Sequence, residues 1–336
     1  IDVINMSVGE PDFNTPDHIK EAAKKAIDDN FTFYTPVGGY LSLRKAICDK
    51  MKNENGREFT PDQIVVSNGA KQSLCNAILS IINPGDEVII PTPAWVSYVE
   101  MVKIAQGKSV LIKTTMENNF CLTVEQLEAA ITPATKLLML CSPNNPTGSV
   151  YTYENLKAIV EVLQRHPQVN VLADEIYQHI LYTGKHETLA QFPELEDRLI
   201  IINGVSKAYA MTGYRIGWLA CHDKDFITAV KRLQGQTISC ATTIAQKAAE
   251  AAYAGPQDCV EEMRQAFERR RNLIVGLAKE IPGMKVLEPQ GAFYLFPDVS
   301  AFFGKQYNGQ TIHNADEVVT YLLQEAHVAC VSGSAF

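Results

Sequence analysis

The sequence carries no concentrated block of positive charge. Its 30 Lys and Arg are outnumbered by 38 Asp and Glu, the formal charge is −8, and the two signs are mixed along the chain. A nucleic-acid partner calls for a basic stripe or patch. The most basic stretch, Arg269-Arg270-Arg271, sits inside a helical pattern and reads as a solvated helix face. Long hydrophobic runs are also missing, so no membrane span is expected, and no secretory leader is recognised. None of the eight cysteines forms a Cys-x-x-Cys pair, and all lie among apolar neighbours. They read as reduced thiols of a cytoplasmic protein, with no disulfide framework and no metal site expected. Internal repeats and low-complexity linkers are absent. What is present is an ordinary globular mixture, 46% hydrophobic and 20% charged over 336 residues. That length supports one large core and a smaller second domain. Both ends read as cropped: Ile1 opens directly on a strand-like segment at 3–8, and Phe336 follows Ala329-Cys330-Val331 without a capping element.

Helical patterns alternate with short apolar strands, which argues for an α/β fold whose mostly parallel sheet is flanked by helices. The spacing predicts helices over 16–29, 71–82 and 257–280. The first begins with proline in its first turn, and the last is ended by Pro282-Gly283. Strands are expected at 63–67, 87–90, 108–112, 135–141, 169–173 and 199–203. They are short, apolar and β-rich, as strands buried on both faces are. Further strands at 284–288, 291–296 and 328–331 would belong to a smaller α+β domain that the N-terminal segment joins. The expected division is a large cofactor-binding domain over 16–275 and a small domain from 1–15 and 276–336.

In open parallel sheets, ligands bind outside the carboxyl ends of the strands. Polar loops fall at four such ends: Asn68-Gly69-Ala70-Lys71, Ser142-Pro143-Asn144-Asn145-Pro146, Asp174-Glu175 and Gly204-Val205-Ser206-Lys207. A lysine in a glycine-flanked loop at a strand end is poorly placed for a solvated surface role. If the loop is desolvated, the lysine pKa falls and the amine becomes a nucleophile toward carbonyls. Taken alone, each residue also has a plainer reading. Lys207 would be an ordinary loop lysine, Asp174 a helix cap and Asn144-Asn145-Pro146 a turn. Trp95, one of only two tryptophans, would be a core aromatic, and Lys71 a solvent-facing lysine in a first helical turn.

Gly204-Val205-Ser206-Lys207, followed by Gly213-Tyr214-Arg215-Ile216-Gly217, resembles the lysine signature of the pyridoxal-phosphate-dependent class I/II aminotransferases of fold type I. The family's other landmarks appear in order: Val8-Gly9-Glu10-Pro11-Asp12, Tyr34-Thr35-Pro36, Gly69-Ala70-Lys71-Gln72, Ser142-Pro143-Asn144-Asn145-Pro146-Thr147-Gly148 and Asp174-Glu175-Ile176-Tyr177. The resemblance runs over essentially the whole chain. It implies that Lys207 carries pyridoxal 5'-phosphate as a Schiff base, and that Asp174 faces the pyridine nitrogen and keeps it protonated. By the same resemblance, Asn145 and Tyr177 hydrogen-bond the ring's phenolic oxygen and Trp95 stacks on the ring. Ala70 and Lys71 would meet the phosphate with backbone N–H groups at a helix start, joined by Ser206 and Arg215. Tyr34 matches a residue that reaches the neighbouring subunit's phosphate, which implies a homodimer with shared active sites. Gly9 matches a main-chain contact to the substrate's α-carboxylate, and the resemblance implies Lys71, Trp95 and Asn145 as further substrate contacts.

Lys71 after Gly69-Ala70, together with Trp95-Val96-Ser97-Tyr98, resembles the bacterial aspartate aminotransferases that have a lysine there. The implied reaction is ping-pong transfer of an amino group between L-aspartate and a 2-oxo acid such as 2-oxoglutarate. Open alternatives are an aromatic or prephenate aminotransferase, a lyase on the same fold, and a pyridoxal-phosphate-sensing regulator joined to a DNA-binding domain. One departure stands out. The family's arginine for the α-carboxylate has no counterpart between Arg271 and Phe336, and it is expected in a segment beyond Phe336.

Overall fold

A computed structural model describes residues 2–336. In chain order the strands are β1 (Ile4–Asn5), β2 (Ile64–Ser67), β3 (Glu87–Thr92), β4 (Lys108–Lys113), β5 (Thr135–Cys141), β6 (Asn170–Asp174), β7 (Leu199–Gly204), β8 (Gly217–Ala220), β9 (Gln306–Tyr307), β10 (Gln310–Thr311) and β11 (Val328–Ala329). The α-helices are α1 (Asp17–Asp28), α2 (Leu41–Asn55), α3 (Ala70–Ile81), α4 (Ser97–Ile104), α5 (Val124–Ala130), α6 (Tyr153–Gln164), α7 (Lys224–Thr237), α8 (Thr243–Ala254), α9 (Asp258–Lys279) and α10 (Ala315–Glu325). Among the described residues no helix is long and apolar enough to cross a membrane.

The centre is a seven-stranded sheet in the order β2-β8-β7-β6-β5-β3-β4. Its strands bury side chains on both faces, because successive residues of a strand point opposite ways; the exception is β4, expected to be buried on both faces, which is an edge strand with Leu111 54% exposed. Ile64, Val66, Leu138, Leu140, Val171, Ala173 and Ile201 enter one core. Val65, Leu137, Met139, Leu172, Ile200 and Ile202 enter the other. Both faces are therefore covered by helices, which is why these strands are nearly continuous apolar runs. β3, β4, β5, β6 and β7 pair in parallel, whereas β8 is antiparallel to both β7 and β2. This is a mostly parallel, helix-flanked α/β sheet, the fold the sequence implies.

β8 matters for the site because it turns the chain back. Gly217 at its start lies opposite both Gly204, which ends β7, and Ser67, which ends β2. The segment between Gly204 and Gly217 is therefore a loop that leaves and re-enters the sheet at one edge.

Outside this sheet, β1 pairs in parallel with β11, and β9 pairs with β10. The expected strands at 284–288 and 291–296 do not form; isolated bridges Lys285↔Asp298 and Leu181↔Gly291 stand in their place. The reason is local. Ala292 adopts a left-handed φ of 57°, and a Cβ on Gly291 would sit 2.6 Å from Pro143. The segment is instead bonded to loops, Gln290 N–H and Gly291 N–H donating to Gly148 O, and Ala292 N–H to Ile180 O. That path carries Phe293 and Tyr294 to the carboxyl edge of the sheet.

Candidate active site

Lys207 follows β7 between the buried Val205-Ser206 and Ala208-Tyr209 and is itself half-buried. Its Nζ lies 5.9 Å from the centre of the Tyr177 ring and 5.7 Å from that of Phe293, and it donates to Gly9 O at 2.5 Å. Burial between these rings lowers the amine to about 8; Glu10 and Asp174 oppose that shift and Arg215 adds to it. An amine near 8 is partly unprotonated at neutral pH and competent as a nucleophile or base.

Asp174 is the last residue of β6 and is 4% exposed. Its Oδ2 accepts from Tyr98 Oη at 2.7 Å, and its Oδ1 from Ile176 N–H at 3.2 Å. Burial pushes the carboxyl up to about 6, against the hydrogen bonds from Tyr98 and Ile176. Alone, such a carboxylate is costly, and a cationic partner would relieve the cost.

On the next loops, Tyr177 Oη and Tyr294 Oη are hydrogen-bonded at 2.5 Å, and Asn145 Nδ2 donates to Tyr294 Oη at 3.4 Å. A Cβ on Gly9 would stand 2.8 Å from the same Tyr294 oxygen. Tyr294 therefore gathers three residues singled out in the sequence, although no sequence motif marked it. Burial raises the Tyr294 hydroxyl to about 12 and that of Tyr177 well above its ordinary value, so both remain protonated.

The start of α3 forms the third side. Gly69, at φ 85°, is its N-terminal cap and no side chain caps the helix, so its first amides face outward. The neighbouring chain is pressed close. A Cβ on Gly217 would lie 2.1 Å from Ala70 N, and one on Gly69 would lie 2.4 Å from Arg215 Nη2. Glycine at both positions makes room for an open helix start beside a guanidinium. Arg215, itself left-handed at φ 56°, is held by Nη1 donating to Thr212 O at 2.8 Å. Ser206 is buried on the same loop. Lys71, the second residue of α3, extends over the Trp95 ring with Nζ 4.7 Å from its centre.

Of the residues singled out in the sequence, Gly9, Ala70, Lys71, Trp95, Asn145, Asp174, Tyr177, Ser206, Lys207 and Arg215 thus converge on one edge of the sheet. Tyr34 does not join them. It is 90% exposed on the loop between α1 and α2, next to Phe33 at 78%. Its loop is anchored from behind, where Gln246 Oε1 accepts from Tyr40 N–H and Nε2 donates to Thr35 Oγ1. The sequence does not mark Tyr294 or Tyr98 as site residues; Tyr98 appears only as the last residue of the Trp95-Val96-Ser97-Tyr98 motif.

A mostly parallel sheet with a half-buried lysine, a buried carboxylate and an open helix start at one strand edge defines an amino-group-transfer enzyme of fold type I. The profile of the family "Aminotransferase class I and II" matches residues 1–336, and the chain belongs to this family. It is 47% identical over 343 residues to the aspartate aminotransferase of Pinus pinaster, covering 100% of this chain and 69% of that protein. It is 48% identical over 338 residues to the aspartate/prephenate aminotransferase of Cereibacter sphaeroides, covering 100% and 84%. The solved structure of the Rhizobium meliloti aspartate aminotransferase superposes with a TM-score of 0.97 at 46% identity, over 99% of this chain and 84% of that one.

Proposed function

We propose that the chain transfers the amino group of L-aspartate to 2-oxoglutarate by a ping-pong route, using pyridoxal 5'-phosphate held at Lys207. The observation that carries this reading is a half-buried, weakly basic Lys207 beside a buried Asp174 carboxylate on one strand edge. The residues fit the cofactor. Asp174 is a buried anion suited to a protonated ring nitrogen, and the space kept clear by Gly69 and Gly217 beside Arg215 suits a phosphate. When bound, the cofactor supplies an electron sink for the charge left on the substrate's α-carbon.

The chain's own residues divide the remaining work. Asp174 holds a proton on the ring nitrogen, while Asn145 and Tyr177 donate to the phenolic oxygen. The amides of Ala70 and Lys71, with Ser206 and Arg215, fix the phosphate, and Tyr34 of a second copy adds to them in a homodimer. Trp95 covers one face of the ring. Lys207 Nζ takes the α-proton as general base and hands it on as general acid. Gly9 contacts the α-carboxylate through its main chain, and Lys71 meets the far carboxylate. Among the described residues Lys71 has no ion pair and lies over Trp95. That arrangement also favours a second substrate class, an aromatic or prephenate-like acid stacking beside the ammonium. A division into 16–275 and 1–15 with 276–336 belongs to the proposal, supported by the β1–β11 pairing, as does a cytoplasmic location.

The test is turnover of the purified chain with pyridoxal 5'-phosphate, L-aspartate and 2-oxoglutarate. Oxaloacetate and glutamate should form in equal amounts, with parallel double-reciprocal plots. Repeated turnover of aspartate without any 2-oxo acid, beyond one equivalent per loaded site, would mean a lyase, and no turnover of any amino acid would refute the reading.

A further inference from the structure

We infer that Tyr98 is a positioning residue for Asp174, fixing the carboxylate that holds the proton on the cofactor's ring nitrogen. The inference rests on the function proposed above and adds a residue to it.

Asp174 Cα is fixed by the sheet, with Asp174 in register with Cys141 on one side and Ile202 on the other. The two side-chain torsions are not fixed by the strand. Two donors remove that freedom: Ile176 N–H holds Oδ1 at 3.2 Å, and Tyr98 Oη holds Oδ2 at 2.7 Å. Tyr98 is the one side chain among the described residues that hydrogen-bonds Asp174. The Cys141 thiol nearby is committed to Pro143 O at 3.3 Å. A carboxylate with one oxygen on each donor has a set plane, and a charge-assisted bond of this length is among the stronger ones.

Tyr98 suits this task. It is 3% exposed in the first turn of α4, three residues after Trp95, whose ring meets it edge-on with centroids 5.5 Å apart. Burial and the adjacent Asp174 push its hydroxyl well above the ordinary tyrosine range, so it serves as a donor and not as a base. The segment that enters α4 therefore carries both the aromatic face offered to the ring and the donor that aims the carboxylate. The two contacts move together, which preorganises the ring nitrogen against its counter-ion.

Four proteins test this: wild type, Tyr98→Phe, and each of these in an Asp174→Ala background. Affinity for pyridoxal 5'-phosphate is measured by spectral titration of the apoprotein. Tyr98→Phe keeps the ring that packs on Trp95 and removes only the donor. It should weaken cofactor binding about tenfold to a hundredfold, the span of a lost hydrogen bond to a charged group. It should lower kcat and leave KM for the amino acid within about twofold, because the amino acid does not touch Tyr98. In the Asp174→Ala background the same substitution should change affinity by less than about twofold, since no carboxylate remains to be aimed. Thermal melts of the apoproteins report folding, and coupling to Asp174 distinguishes positioning from general packing. Wild-type affinity in Tyr98→Phe, or an equal loss with and without Asp174, overturns the inference while the cofactor reading stands. A wild-type chain that fails to bind pyridoxal 5'-phosphate overturns that reading itself.

Discussion

Lys207 Nζ donates to the main-chain oxygen of Gly9 across 198 residues of sequence. The N-terminal segment thus reaches the amine that the strand-end loop presents, and the two meet at the centre of the site. With Tyr177 and Phe293 on its flanks, the amine is withdrawn from water, and this burial lowers it to about 8.

The consequence is a reactivity profile. The rate at which apoprotein captures pyridoxal 5'-phosphate should rise as pH increases through about 8 and level off above it. A solvated lysine would keep accelerating toward its ordinary value near 10.4. A rate still climbing between pH 9 and 10 in stopped-flow absorbance would contradict the lowered amine.

Asp174 should cost stability in the apoprotein. Its carboxyl is raised from 3.8 to about 6, so the folded state favours the protonated form. The associated stability is fully present below about pH 4 and is lost as pH rises through about 6. At pH 8 the buried anion costs roughly 3 kcal/mol at most. Asp174→Asn should therefore melt higher than wild-type apoprotein at pH 8, match it near pH 4, and lose most turnover. Equal melting at both values would show that the carboxyl is relieved by other means.

Lys71 tests substrate choice. Its ammonium lies over Trp95 at the open side of the site, and pairing with a distal carboxylate there would contribute roughly 1–3 kcal/mol. Lys71→Ala should lower kcat/KM for aspartate about tenfold to a hundredfold, phenylalanine much less, and leave cofactor affinity nearly unchanged. An equal fall for every amino acid would leave Lys71 serving the cofactor alone.

Tyr34 tests shared sites. It stands 90% exposed and does not reach the Lys207 site of its own chain. Mixing Tyr34→Phe with Lys207→Ala subunits in equal amounts should restore native residues to about a quarter of the sites, because each hybrid dimer regains one. Activity above that of either parent is expected after subunit exchange. Demonstrated exchange without recovery would place Tyr34 outside the site.

Much of this molecule is legible in its sequence because burial on both faces leaves a plain record. β2, β3, β5, β6 and β7 appear as apolar runs, and the expected helices at 16–29, 71–82 and 257–280 form as Asp17–Asp28, Ala70–Ile81 and Asp258–Lys279; β4 forms where expected but as a largely exposed edge strand. The antiparallel β8 is harder to read: it has four residues and follows directly on the lysine signature. The stretch 291–296 has strand composition, yet Ala292 turns left-handed against the Pro143 loop. Tyr98 and Tyr294 were not legible as site residues for a different reason. Tyr98 meets Asp174 across 76 residues, and Tyr294 meets Tyr177 across 117. No local pattern encodes such pairings. Lys207, Asp174 and Asn145 stand at or just beyond strand ends, inside the motifs that carry the family resemblance.

The central claim is that Lys207 is the residue that bonds the cofactor. The direct measurement is borohydride reduction of the chain loaded with pyridoxal 5'-phosphate, followed by proteolysis and mass-spectrometric mapping. The reduced pyridoxyl group should be found on the peptide containing Gly204-Val205-Ser206-Lys207, attached to Lys207, and be absent from Lys207→Ala. A stoichiometric label on Lys71 or any other lysine, with Lys207 unmodified, would contradict it.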